Sequence, residues 1–183
     1  MLATLEALDR RVFGAINQGG PPWLDALFAL FSSPVVGAFA ALVLVAFLAY
    51  RYRWAALRPG VAMGLGFALS DWLGFHLLKP WFARVRPCYA LPEDSVRWLL
   101  PAANVGSMPS LHAANCFAVA YVVTRFERRL GCFAYPVASL VALSRVYVGV
   151  HWPADVVVGA GWGTLAGITA WTLAQLPRAS VPD

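Results

Sequence analysis

The sequence predicts an all-α fold, a polytopic transmembrane helical bundle of about five to six membrane helices with an N-terminal interfacial helix. Three observations carry this expectation. Of the 183 residues 60% are hydrophobic and only 13% charged, with a mean hydropathy of +0.65, far from the usage of soluble domains. Apolar runs of spanning length recur between short Arg-rich turns. Small residues repeat at intervals of four in two of these runs, Gly66/Ser70/Gly74 and Gly159/Gly163/Gly167, which suits close approach of membrane helices. None of these glycines belongs to a nucleotide-binding loop. The length suits one integral-membrane domain over 1–183, with no room for a second soluble domain.

In residues 1–21, Leu2, Leu5, Leu8, Val12, Phe13 and Ile16 recur at roughly helical spacing, interrupted by Glu6, Asp9, Arg10 and Arg11. Four close charges oppose spanning, so this is an amphipathic helix lying in the interface. It lacks the uninterrupted apolar core of a signal peptide. The run Asn17-Gln18-Gly19-Gly20-Pro21-Pro22 ends it. The helical bundle occupies 22–176. Its first span ends at Tyr50 and begins within 24–34, with a kink expected at Pro34. The second runs from about Pro59 to Leu78. It carries Asp71 and His76, each expected to face the bundle interior and to have a partner.

The stretch from Lys79 to Ser110 has too little continuous apolar sequence to span and reads as an ordered loop or lid of functional length. Trp81, Phe82 and Trp98 fit the interfacial aromatic belt. A third span covers Ser110 to Thr124, a fourth Cys132 to Val148 and a fifth Pro153 to Leu176. Threading these alternately through the bilayer gathers Arg51, Arg53, Arg58, Arg125, Arg128, Arg129 and Arg178 on one side, which marks that side as cytoplasmic. The 79–110 loop and the 144–155 stretch then lie outside. Arg10 and Arg11 oppose this assignment if the N-terminus is also outside.

The formal charge of +5 comes from basic residues scattered at the ends of apolar runs. They form no basic face, so the partner is the lipid bilayer and no nucleic acid is expected. Cys88, Cys116 and Cys132 are odd in number and lack metal-ligand spacing, which suggests neither a zinc site nor a disulfide framework.

The polar residues that remain gather at one membrane edge. In Ser144-Arg-Val-Tyr-Val-Gly-Val-His151-Trp-Pro-Ala-Asp155, a helix starting near Pro153 lets Asp155 face His151 four residues away. Arg145 can grip an oxyanion in bidentate fashion. Lys79, Arg86 and the cation between them open the loop. Ser110, Leu111 and His112 begin the third span, where free backbone N–H groups form an anion site. Such a set of cations, a hydroxyl and two histidines suits a phosphoryl group. No carboxylate cluster accompanies it to hold magnesium, so no metal or cofactor is expected, and histidine is the candidate nucleophile.

These residues also compose three linked motifs. Lys79, Arg86 and Pro87 fit K-x6-R-P, and Ser144, Arg145, His151 and Asp155 fit S-R-x5-H-x3-D. Pro109, Ser110 and His112 fit P-S-G-H except for Leu111 at the glycine. The third motif alone occurs by chance on the order of once in 10⁵ starting positions at roughly 5% usage per residue. The chain thereby resembles the type 2 phosphatidic acid phosphatase superfamily, membrane lipid phosphatases related in active site to vanadium haloperoxidases. The strict match covers 79–155.

The resemblance implies metal-independent hydrolysis of a phosphate or diphosphate from a membrane lipid at the extracytoplasmic face. His151 resembles the nucleophile, Asp155 the carboxylate that orients it and His112 the general acid. Lys79, Arg86, Ser110, Arg145 and the Leu111 backbone resemble the phosphate cradle. The Leu111 side chain is expected to crowd the site and narrow the acceptable head group. Polyprenyl diphosphate, phosphatidic acid, phosphatidylglycerophosphate and lipid A phosphates are all substrates within the family. The short chain looks most like bacterial polyprenyl-diphosphate phosphatases. A lipid phosphotransferase and a non-catalytic transporter or scaffold remain the alternatives. The oligomeric state is open.

Overall fold

The computed structural model describes residues 2–102 and 104–175. Leu176, at the expected end of the last span, and Arg178 lie outside the described residues. Helix α1 (Leu2–Asn17) is followed by α2 (Pro22–Ser32) and α3 (Pro34–Tyr52). Pro22 and Pro34 each stand at the first position of their helix, where the missing N–H costs nothing, and Ser33 caps α3 by accepting from Val36 N. The expected kink at Pro34 is thus a full break between two helices. A tight turn at Arg53–Ala56 leads to α4 (Leu57–Ala68), which continues as a π-helix through Leu69–Leu78 and one more turn, α5 (Lys79–Phe82). After α6 (Pro87–Ala90) and the irregular remainder of the loop come α7 (Leu111–Phe126), α8 (Gly131–Tyr147) and α9 (Pro153–Gln175).

Among the described residues three helical stretches are long and apolar enough to cross a membrane: Pro34–Phe82, Arg128–Tyr147 and Pro153–Gln175. The first reverses at Arg53–Ala56 and so supplies two crossings. Helix α7 is shorter and lies at the centre, with Ala113, Ala114, Ala118, Ala120, Val122 and Val123 all buried. The outer surface carries the large apolar side chains Val35, Phe39, Leu42 and Phe47 of α3, as a lipid solvent requires.

The α7–α9 contact explains the glycine stripe. A Cβ on Gly159 would stand 2.4 Å from Ser110 O, one on Gly163 1.9 Å from Ala114 O, and one on Gly167 2.8 Å from Ala118 O. All three pairs share one sequence offset, so the two helices run parallel in fixed register, backbone against backbone. Their N-termini therefore lie together, and Ser110 N donates to Asp155 O at 3.0 Å. On the other stripe, a Cβ on Gly66 would meet Ala170 Cβ at 3.4 Å, which brings α4 onto α9.

The two ends of the bundle differ. Around one end Tyr52 donates to Glu127 at 3.1 Å and packs edge-on against Phe126, near Arg51, Arg53, Arg58, Arg125, Arg128 and Arg129. The other end holds the 79–110 loop, the α8–α9 turn and α1. Asp71 takes a hydrogen bond from Asn115 Nδ2 at 2.9 Å, as expected. His76 does not face the interior: it is exposed, bonded through Nδ1 to Trp72 O at 2.9 Å and set against the Trp72 and Phe75 rings. The π-helical winding of this segment turns it outward from the face that Ser70 and Gly74 bury.

Candidate active site

Backbone geometry delivers the cations. Residues 84–86 run antiparallel to 105–107 through a bridge between Val85 and Gly106, with Arg86 N donating to Val105 O at 3.2 Å and Ser107 N to Arg84 O at 2.7 Å. In extended chain alternate side chains share a face. Arg84 and Arg86 therefore turn into the protein, Arg86 fully buried, while Val85 is exposed.

Arg86 is held on three sides. Its Nε donates to Asn104 O at 2.6 Å, Nη2 to Asn104 Oδ1 at 3.1 Å, and Nη1 to Val150 O at 2.8 Å. The same Nη1 lies 2.9 Å from Nε2 of His151. Since a guanidinium can only donate, this contact makes Nε2 the acceptor and places the imidazole proton on Nδ1. That nitrogen faces Asp155 Oδ2 at 3.3 Å. Burial pushes the His151 imidazole down to about 3; the Asp155 hydrogen bond opposes this and the Arg86 charge adds to it. His151 is thus a neutral imidazole with its free lone pair aimed at a cation.

Asp155 is fully buried. Besides His151 it accepts from Trp152 N at 2.8 Å, from Ser107 Oγ, and from Arg84 Nη1 at 2.9 Å. Its place in the first turn of α9 also sets its charge against the positive end of that helix.

The remaining expected residues converge here. Lys79 is buried and donates to Gly106 O at 2.6 Å. Arg145, at the end of α8, donates through Nη1 to Ser32 O at 2.9 Å. Ser110 is the N-cap residue of α7, yet its hydroxyl makes no capping bond. Leu111 and His112 follow as the first two residues of α7, where backbone N–H groups lack intrahelical acceptors. His112 is half-buried, with no hydrogen-bond partner among the described residues. The Leu111 side chain fits a gap: a Cβ on Gly74 would lie 2.6 Å from its Cδ2 and 3.3 Å from Trp162 Nε1. The bulk that replaces glycine is accommodated by a glycine across the helix interface.

Two buried side-chain polar atoms among the described residues have no partner, Ser110 Oγ and Arg145 Nε. Unsatisfied buried groups are costly and rare. Together with Arg86, Lys79 and two adjacent helix N-termini they make a set of donors whose chemistry suits a tetrahedral oxyanion, beside Nε2 of His151. Asp9, Arg84, Asn104, Ser107 and Trp152 complete this network, and none was singled out by motif. Of these only Arg84 stood out in the sequence, as the cation between Lys79 and Arg86, and its bonds go to Asp9 and Asp155.

Residues 55–178 match the family model described as PAP2 superfamily. The chain is 28% identical over 175 residues to a lipid A 4'-phosphatase of Bacteroides thetaiotaomicron, which covers 91% of this chain and 77% of that protein. Among solved structures it is similar to LpxE of Aquifex aeolicus, at 29% identity and a TM-score of 0.71 over 90% of this chain and 95% of the other. It is also similar to a transmembrane PAP2 type phosphatidylglycerolphosphate phosphatase of Bacillus subtilis. That match has 25% identity and a TM-score of 0.71 over 97% of this chain and 90% of the other.

Proposed function

The chain belongs to the PAP2 superfamily, and from that premise we propose that it removes phosphate from a membrane lipid through a phosphohistidine on His151. The protein is an integral membrane lipid phosphate phosphatase. The observation that carries the assignment of roles is the pair of orphaned groups, Ser110 Oγ and Arg145 Nε, beside an imidazole nitrogen that faces Arg86. A bound phosphoryl group satisfies both and takes over the Arg86 contact.

His151 Nε2 attacks phosphorus as the bond to the leaving oxygen breaks, and His112 gives that oxygen its proton. Asp155 accepts from the Nδ1–H throughout and stabilises the charge that develops on the ring. Arg86, Arg145, Lys79, Ser110 and the first amides of α7 hold the three phosphoryl oxygens. Water, losing a proton to His112, then attacks the phosphohistidine and releases inorganic phosphate. His151 and His112 return to their starting states.

The lipid's apolar chains have a place to lie. A groove of about 270 Å³, lined mainly by α8 and α9 through Leu143, Val146, Pro153, Val156, Val157 and Ala160, includes Pro153, two residues along the chain from His151. The substrate is a phosphate or diphosphate whose head group sits at the bundle end and whose chains follow this groove. That end is the extracytoplasmic face of a bacterial inner membrane, since the Arg-rich turns gather at the opposite one.

Phosphate release by the purified protein over lipid A, phosphatidic acid, phosphatidylglycerophosphate and polyprenyl diphosphate, with chelator present, tests the reading. Turnover of at least one lipid and inhibition by vanadate, whose trigonal-bipyramidal adduct mimics the transition state, are expected. Strict magnesium dependence, or no release from any lipid, would sink it.

A further inference from the structure

Asp9 lies on α1, ahead of the residues that match the family model, and is buried although charged. Both its oxygens are engaged. Oδ1 accepts the N–H of Ala154 at 2.8 Å and Oδ2 that of Arg84 Nη2 at 2.5 Å. The other arm of Arg84 donates to Asp155 Oδ1 at 2.9 Å. Asp155 thus divides its work: among the described residues Oδ2 receives His151, Trp152 N and Ser107, and Oδ1 receives Arg84 alone.

The fork of Arg84 is itself braced. Its guanidinium lies 5.3 Å over the Trp152 ring, Phe13 of α1 packs against the same ring at 5.1 Å, and Trp152 Nε1 donates to Val85 O at 2.9 Å. On the outer side of α1, Leu5, Leu8 and Val12 are exposed, an apolar strip that seats the helix in the interface.

We propose that α1 is a positioning element of the active site, in which Asp9 holds Arg84 and Arg84 holds the Asp155 carboxylate in the orientation that serves His151. The terminal torsion of an aspartate is broad, so a carboxylate bonded on one oxygen only can swing away from its partner. Arg84 pins the other oxygen. The Nδ1 to Oδ2 separation of 3.3 Å is long at rest and must shorten as the ring gains charge, and a fixed carboxylate makes that step short. Asp9 also offsets the Arg84 charge, leaving Asp155 free to support a cationic ring. Among the described residues the side chains of Asp9 and Arg84 bond to each other, to Ala154 and to Asp155 and to no cradle residue, so the device acts on turnover and not on binding.

This inference rests on the phosphohistidine reading, and a double-mutant cycle on the full-length protein tests it. Arg84→Gln is expected to lower kcat roughly 10–100-fold, the usual loss when an outer partner of an active-site ligand is removed. Asp9→Asn, which keeps an oxygen for Ala154 N, should lower it roughly 3–10-fold, and the double variant should match Arg84→Gln alone. KM should stay within about twofold while vanadate affinity falls with kcat, and Arg84→Lys should recover part of the loss. Additive effects, unchanged kcat, or a loss that appears in KM with kcat unchanged would overturn the clamp. If Arg84→Gln fails to fold, the kcat of Asp9→Asn decides alone. If the wild type releases no phosphate, it is the hydrolase reading that fails. The clamp is then read from the His151 Nδ1–H proton resonance, which Asp9→Asn must shift and which stays in place if the clamp is wrong.

Discussion

Nη1 of Arg86 stands 2.9 Å from Nε2 of His151, so the cation that would neutralise a phosphoryl oxygen rests on the atom that would attack it. The contact fixes the tautomer, since Nε2 must accept and Nδ1 must carry the proton toward Asp155. It also orders the events of binding. In the proposed mechanism an arriving phosphoryl group replaces His151 as the acceptor for Arg86, which frees the lone pair as the electrophile comes into reach.

The same geometry sets a pH dependence. His151 is held down to about 3, so its ring should stay neutral between pH 7 and 5, with the proton on Nδ1 throughout. Nitrogen NMR of histidine-labelled protein in micelles checks this, and a titration near the ordinary value of 6.5 would contradict it. The unfolded chain binds a proton near 6.5 that the folded chain refuses. The contribution of His151 to stability is therefore complete above that pH and is lost as pH falls toward the folded value. The fall in thermal midpoint from pH 7 to 4 should be shallower in His151→Ala.

Packing of α7 on α9 gives a second prediction. A Cβ on Gly163 would stand 1.9 Å from Ala114 O and 2.6 Å from Ala114 C, backbone atoms that cannot step aside singly. Gly163→Ala should cost about 1–3 kcal/mol as overpacking does, and should lower activity beyond its effect on stability because it parts the two helix N-termini. Gly161, where an added Cβ meets nothing within 4 Å, is the control. Gly161→Ala should be neutral in thermal unfolding, and equal losses at 161 and 163 would argue against the register described.

The groove between α8 and α9 gives a third. Val157 is 70% exposed and lines it, so Val157→Trp should fill the groove without strain in the core. KM for long-chain lipid phosphates should rise about tenfold, the value of one well-filled apolar contact of about 1.4 kcal/mol. Turnover of a short-chain, soluble phosphate should be unchanged. Parallel losses on both substrates would move the chains elsewhere.

What the sequence made legible follows from the reach of each interaction. The spans, the α7–α9 glycine stripe and the gathering of Lys79, Arg86, Ser110, His112, Arg145, His151 and Asp155 depend on hydropathy and on spacing along the chain. The partnership of Asp9 with Arg84 spans 75 residues, and that of Ser107 with Asp155 spans 48; neither has a local signature. The charges of α1 weighed against spanning, which they do. Their other role, with Asp9 under Ala154 and Arg10 5.7 Å over the Trp152 ring, depends on where α1 docks. His76 misled because a histidine inside an apolar run suggests an interior partner, whereas the π-helical winding leaves it exposed, its Nδ1 against the Trp72 carbonyl one turn back.

The two histidines should fail differently. In the proposed mechanism His151 makes the bond to phosphorus, so His151→Ala should abolish turnover whatever the leaving group. His112 matters in proportion to the basicity of the oxygen that it protonates. It stands half-buried at the second residue of α7 with no side-chain partner among the described residues, so its ring nitrogens are free to meet the substrate. An alkoxide leaving a phosphomonoester lipid needs that proton badly. A nitrophenolate, or the lipid monophosphate expelled from a diphosphate, needs it much less. His112→Ala should therefore lose roughly 10²–10⁴-fold on an alkyl phosphate and clearly less on an aryl phosphate or a diphosphate lipid. Single-turnover rates on matched substrates make the comparison free of product release. Equal losses on all three would make His112 a phosphate-binding residue, placed with Ser110 and the α7 amides rather than at the leaving group. Activity retained in His151→Ala would remove the nucleophile, and with it the reason for Arg86 to face that nitrogen.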